Sequence, residues 1–420
     1  MYLKIQFAVI FTLMLGVAGF NYILDPYGVY SPDRTYSFNR IKPKIFLKER
    51  IIKPYRVSDL KPDTVILGMS AAGQGYVESH PYFSDKSVYN FGIAGASMYM
   101  MYRAFQHTMF ESDLQNVFLD LSILAFDEGD INVVRNDASL ANISFESLIS
   151  VNEDGSRNWR AVFREITQIP QFLLSTQAIR DSRSTLNRQS SAAGVYLTSR
   201  GSWSELPPIA EVNQGEKFRE IAASSINRWF KNSSSTEVIS IYREDGSLSR
   251  AFEYYERLLE DAYRKNIEVN LVLSPTHIYF IEAMDFLQIG GMFTEWKREL
   301  VKINERVAKE YGKTPFPVWD FAYFSEITTE RVPPKEDNTM RMKWYSDPVH
   351  FTKTTGDHVL DQVYLGSDGT GVMLTSDNID AVLDMQKQKK RQFHHENPDQ
   401  SKKLKALFER AAMTESIDGG

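Results

Sequence analysis

Asp63-Thr-Val-Ile-Leu-Gly-Met-Ser-Ala-Ala-Gly73 reads as a strand and the turn that ends it. Thr64 to Leu67 is a short apolar, β-branched run bounded by Pro62 and Gly68, the pattern of a buried parallel strand. Ser70 follows just past its carboxyl end. In open α/β sheets that edge is where ligands bind, so a hydroxyl there is placed for chemistry. A serine capping the next helix is the plainer reading of an isolated Gly-x-Ser. What weighs against it is Trp344-Tyr-Ser-Asp-Pro-Val-His350, an Asp-x-x-His far along the chain and just before the amphipathic helix Lys353 to Tyr364.

Strands and helices alternate on either side of this turn. Ser87 to Phe91 predicts a second strand, and Gly92-Ile-Ala-Gly-Ala-Ser97 a glycine-containing loop that opens a helix over Met98 to Phe110. Asn116 to Ile123, Ile267 to Leu273 and Pro317 to Asp320 predict three more strands, with helices over Glu216 to Lys231, Leu248 to Lys265 and Trp296 to Tyr311. Five strands alternating with helices give an α/β fold with a parallel sheet wrapped on both faces. Residues 125–215 weaken into Ser/Asn/Arg-rich sequence, expected as an insertion or lid. The expected organisation is therefore an anchor at 1–24, a juxtamembrane connector at 25–62 and the α/β domain at 63–366. A helical extension at 367–396 and a polar, disordered tail at 397–420 follow.

Ile5 to Ile23 is almost unbroken in its apolar character and matches the roughly 20 residues that cross a bilayer. The small-residue signature at Val17-Ala-Gly19 is weak and the apolar run continues past it, which favours an uncleaved signal anchor over a cleaved peptide. Arg34, Arg40, Lys42 and Lys44 follow the span and would by charge keep that side cytoplasmic. Long folded domains translocate largely regardless of charge, and the expectation is an exported body. The 420 residues include no cysteine, so disulfides, thiolate nucleophiles and cysteine metal sites are excluded. A formal charge of −6 offers no basic field for nucleic acid.

A serine hydroxyl becomes a useful nucleophile when a base takes its proton, and imidazole does so when its other nitrogen is held in one tautomer. An Asp three residues before the His can supply that hold from the same turn. The reading assigns Ser70 as nucleophile, His350 as general base and Asp347 as its orienter. The Gly-x-Ser-x-Gly elbow is absent, since Ala72 stands where its second glycine would be.

With these residues in view, the chain resembles the SGNH (GDSL) hydrolase superfamily. Gly68-Met69-Ser70 matches its first block except at the middle residue. Asn90, Gly95 and Ser97 match the spacing of the second, and Asp347 with His350 the last. The third block is missing, and Leu124 stands where its Asn would be. The resemblance implies a three-layer α/β/α fold with a five-stranded parallel sheet in flavodoxin-like order. It also implies an oxyanion hole at Ser70 and Gly95, and no cofactor. With the amino-terminal anchor, the chain is similar to exported, membrane-anchored SGNH-like proteins of bacterial exopolysaccharide O-acetylation. That likeness implies acetyl transfer to, or hydrolysis from, a carbohydrate substrate through an acyl-serine. It further implies a single-pass inner-membrane protein with a periplasmic or extracellular body, and a membrane-bound acyl-transfer partner.

His277, Asn90 and Ser97 are candidate substrate contacts. For His277 the plainer reading is a packed loop histidine. His80 and His107 read as structural, and His394-His395 as solvated. Asp120 and Asp127 lack a His-x-His or His-Glu companion, so no metal site is assigned. A non-catalytic SGNH-like scaffold that binds polysaccharide or envelope partners is the alternative function, motivated by the missing third block.

Overall fold

The computed structural model describes residues 1–30, 36–45, 48–129, 145–163, 170–189, 195–205, 213–228, 230, 238–337 and 339–418. The chain divides into two compact units. The first comprises residues 1–61, 106–113 and 138–210, and the second comprises 62–105, 114–137 and 211–420.

The second unit is built on a six-stranded mixed sheet. Its strands are β1 (Thr64–Leu67), β2 (Val88–Asn90), β3 (Asn116–Leu121), β4 (Glu268–Leu273), β5 (Val318–Asp320) and β6 (Val372–Leu374), in the order β2-β1-β3-β4-β5-β6. Every residue of β1 is buried, as its β-branched composition requires of a strand covered on both faces. Asp63 pegs the register. Its carbonyl accepts from the amides of Gln115 and Asn116, and its carboxylate from Ser87 N, so three strands start from one residue. Helix Arg250–Lys265 buries Phe252, Tyr255, Leu258, Leu259 and Ala262 along one stripe and ends on Asn266 at φ 54°.

A wholly parallel five-stranded sheet is corrected here, because β6 pairs antiparallel with β5. Gly366 ends helix Lys353–Leu365 in a left-handed turn at φ 67°. The Gln362 carboxamide then bonds both backbone groups of Gly371 (2.7 and 2.8 Å). The connection from β5 to β6 thus includes a helix, and after it this short link returns the chain to the sheet edge in the opposite direction to β5. The tail expected to be disordered is helical instead, over Pro398–Asp418. Leu404 and Phe408, one helical turn apart, are both buried, with Phe408 against Phe286.

The expected insertion at 125–215 is redrawn too. Residues 138–210 cluster with 1–61 rather than with the sheet, and the stretches 130–144, 164–169, 190–194 and 206–212 lie outside the described residues. In this first unit Tyr27, Ile45, Ile51, Ile52, Tyr55, Leu148 and Phe172 form one core. The connector is thus integral to a folded unit, with helix Glu49–Leu60 at its centre. Helix Tyr2–Leu24 belongs to the same unit and is long and apolar enough to cross a membrane.

In the second unit, β5 ends on a buried ion pair. The Lys297 ammonium bonds Asp320 Oδ2 (2.7 Å), Ala322 O (2.8 Å) and Gln386 Oε1 (3.1 Å), while Gln386 Nε2 returns a bond to Asp320 (2.8 Å). Lys297→Met leaves the carboxylate buried without its cation, and should cost about 3–5 kcal/mol. Adding Asp320→Asn should recover part of that loss. Denaturant titration of the full chain in detergent measures both, and an additive double variant would show that the pair is not coupled.

Candidate active site

Ser70 opens the short helix Ser70–Gly75 directly after β1. Gly68 permits the turn, since a Cβ there would lie 2.6 Å from Ala72 Cβ and 3.0 Å from Asp120 Cβ. Asp347 and His350 lie on a loop that closes on itself. Asp347 Oδ1 accepts from the amides of Val349 and His350 (both 2.9 Å), and Ser346 N donates to His350 O (3.0 Å).

These three residues meet. Asp347 Oδ2 lies 2.7 Å from His350 Nδ1, and His350 Nε2 lies 2.8 Å from Ser70 Oγ. The carboxylate accepts, so Nδ1 carries the proton and the Nε2 lone pair faces the hydroxyl. Burial acts to raise the Asp347 pKa, but hydrogen bonding and charge attraction from His350 and the two amides outweigh it and leave the carboxyl below its ordinary value. The Asp347 and His350 side chains remain 19% and 21% exposed, so the site opens to solvent.

The residues that hold the meeting were not singled out from sequence. Gln74, four residues after Ser70 on the same helix, donates to Ser346 Oγ (2.7 Å), which itself donates to His350 O (3.0 Å). The Phe351 ring lies over Gly75 so closely that a Cβ there would come within 1.8 Å of it, and a Cβ on Gly356 would reach within 1.9 Å of Gly75 O. No local pattern marks Gln74, whereas the unusual Gly73-Gln-Gly75 spacing was a signal available to be read.

The other candidates are placed differently. Asn90 is buried, and its carboxamide donates to Ala72 O (2.9 Å) and Tyr76 O (2.7 Å) while accepting from Gly92 N (2.8 Å). It joins the Ser70 helix to the loop after β2 and has no polar atom left for a substrate. Ser97 is buried, and its hydroxyl accepts from Met100 N at the start of helix Met98–Glu111. His277 is fully buried, its Nε2 bonding Glu330 O (2.9 Å) and its Nδ1 accepting from Tyr279 N. Burial pushes its pKa down to about 4, against the bond to Glu330, so the ring is neutral and structural. Its edge packs on Tyr345, whose hydroxyl is held by Pro275 O, and it thereby supports the loop that delivers Asp347. Gly95 lies exposed in the turn closed by Ala96 N and Ile93 O (3.1 Å), at φ 62°. Its first requirement is therefore conformational, and a valine there would test backbone strain before any oxyanion role. His80 bonds Asp361 and Tyr82 N, and His107 bonds Pro54 O and Ser150 N, as structural histidines do. His394 is paired with Glu282 rather than solvated.

Comparison with protein-family models gives no match, and comparison with curated proteins gives none either.

Behind the serine turn, Asp120 on β3 is buried and accepts from Tyr76 OH (2.9 Å). Burial pushes its carboxyl up to about 7, opposed by hydrogen bonds from Tyr76 and Ser274. The unfolded carboxyl ionises near its ordinary value of 3.8, so between there and about pH 7 the folded chain holds the extra proton. Stability from this group therefore falls as pH rises through that window. Asp120→Asn should gain stability relative to the native chain from pH 4 to 7, by on the order of 4 kcal/mol, and run parallel above it. Melts across this range check the slope, and a difference constant with pH would refute it.

Proposed function

We propose that the chain is a serine-dependent acyl-transfer enzyme of SGNH type, which moves acetyl groups to or from an extracytoplasmic polysaccharide. One observation carries this reading: Ser70, His350 and Asp347 form a continuous hydrogen-bonded relay at the solvent-facing carboxyl edge of a sheet. His350 Nε2 takes the Ser70 proton as Oγ attacks the acetyl carbonyl, and returns it to the departing alcohol. Water or a sugar hydroxyl then attacks the acyl-serine with His350 again as base. The order β2-β1-β3-β4-β5, with a serine after β1 and Asp-x-x-His before the helix following the last parallel strand, supports the family likeness. The sugar class and the export of the body rest on the resemblance. A non-catalytic scaffold is the competing reading, favoured by Leu124 standing where a side-chain oxyanion donor belongs.

Incubation of the full chain with an activated acetyl ester decides between them. An acetyl adduct on Ser70, seen by mass spectrometry, is expected, and a folded chain with neither adduct nor turnover would favour the scaffold. Ser70→Ala and His350→Ala should each abolish most turnover, and the double variant should cost little more than either, because such residues act as a unit. Asp347→Asn should cost up to ~10⁴-fold through the wrong tautomer. Near-native turnover by Ser70→Ala would sink the nucleophile assignment.

The packing of Phe351 gives an independent check. Gly75→Ala must displace that ring and with it His350, and a misplacement of about 1 Å can cost about 10²-fold. Phe351→Leu, which makes room for the methyl, should restore part of the turnover. Full activity in Gly75→Ala alone would show that the ring does not position the base.

A further inference from the structure

Charge is distributed unevenly along the chain. The first unit holds 17 Lys and Arg against 12 Asp and Glu, a formal +5, and the second holds 31 against 42, a formal −11. The basic unit is the one from which the apolar helix emerges.

Helix Tyr2–Leu24 is exposed over most of its length, with Phe7 74% and Leu13 65% accessible, but its last turn is buried, with Asn21 at 1% and Leu24 at 4%. Asn21 donates to Leu173 O (2.8 Å) and accepts from Ser182 Oγ (2.7 Å). Asn39 donates to Ile23 O (3.1 Å), and the Lys42 ammonium donates to Leu24 O (3.3 Å) and Asp25 O (2.5 Å). The helix end is thus clamped from several segments and cannot swing as a tether would.

Two aromatic pairs, together termed the collar, adjoin the clamp. Tyr22 contacts Tyr30, and Tyr36 stacks on Phe38 in the turn whose Asn39 holds the helix. Tyr22 and Tyr36 are 49% and 53% exposed. Arg40 follows, exposed, and Gln189 bonds both backbone groups of Ile41 (2.9 and 2.8 Å). That bond brings the end of helix Thr176–Asn187, with exposed Leu186 and Arg188, to the same edge. The rise from Tyr2 to Tyr22 is about 30 Å, the thickness of a bilayer's hydrocarbon core. Both ends of that distance therefore carry a tyrosine, the residue that prefers the interface.

We propose that the collar is a membrane-surface site, seated among anionic phospholipid headgroups with Arg40 and Arg188 against their phosphates. It holds the first unit down on the bilayer. The inference rests on reading Tyr2–Leu24 as a membrane span, and continuity with that span together with the positive charge identifies the occupant.

Because the chain has no cysteine, single-cysteine variants can be labelled cleanly. Phe11→Cys, Tyr36→Cys and Leu186→Cys, each carrying a fluorophore, are placed as full chains in nanodiscs of phosphatidylcholine with or without phosphatidylglycerol. The nitroxide quencher sits either on the headgroup or deep in the acyl chain. The label at 11 should be quenched best by the deep nitroxide, and those at 36 and 186 by the headgroup nitroxide, more strongly in anionic discs. Arg40→Gln with Arg188→Gln should remove the anionic enhancement at 36 and leave position 11 unchanged. Quenching at 11 with none at 36 and 186 would overturn the surface site while the span stands. No quenching at 11 would overturn the span and the surface site with it. Equal collar quenching in neutral and anionic discs would overturn the assignment of anionic headgroups.

Discussion

The separation between Ser70 and His350 is set by a contact that tolerates no side chain. Gly75 ends the helix that Ser70 begins, and its backbone lies under the Phe351 ring and beside Gly356, where added Cβ atoms would overlap by more than an ångström. A helix one methyl further away would lengthen the 2.8 Å between Ser70 and His350, two residues 280 positions apart in sequence. Gln74 and Ser346 add a polar fastening to the same contact. Interiors are packed to crystal-like density, so such a contact holds one geometry rather than a range.

Asn90 performs the matching task on the other side. Its carboxamide satisfies two carbonyls of the serine turn and one amide of the loop after β2, all buried. Leaving buried polar groups unpaired costs about 1–3 kcal/mol each, which gives the turn and the loop a strong reason to stay together. A residue matched to the second SGNH block is therefore used to build the site and not to touch a ligand. In the proposed reaction the chemistry would fall to the Ser70–His350–Asp347 relay.

The legible parts of this protein were those whose signal is local. β1 was read to its ends because the short run Thr64-Val-Ile-Leu67 sits between Pro62 and Gly68, and the meeting of Asp347 with His350 because one tight turn holds both. His277 was ambiguous in sequence, since a helix-capping histidine and a ligand histidine look alike until Glu330 and Tyr279 are seen bonding it. β6 was missed because three residues after a glycine-rich link carry too little pattern to compete with the helix that follows. The helix Pro398–Asp418 was missed because Leu404 and Phe408 are a sparse stripe whose worth depends on partners such as Phe286. The first unit was invisible as a unit, since it joins three segments through pairings such as Tyr27 with Asp181 and Lys53 with Gly201.

The clamp also changes how the basic residues after the apolar helix bear on topology. Counted as charges near a span, Arg34, Arg40, Lys42 and Lys44 argue for a cytoplasmic body. Lys42, however, is buried with its ammonium on the carbonyls of Leu24 and Asp25 and 4.0 Å from the Asp25 carboxylate. A cation in that place neutralises the negative end of the helix and satisfies its last acceptors, and it does so equally on either side of a membrane. Its presence is explained by the fold, so it drops out of the count that would choose a side. Arg40, if it meets lipid phosphate as inferred, is also accounted for by a local contact. Lys42 is then explained by how the first unit grips its helix, while Arg34 and Lys44 remain in the charge count after the apolar helix.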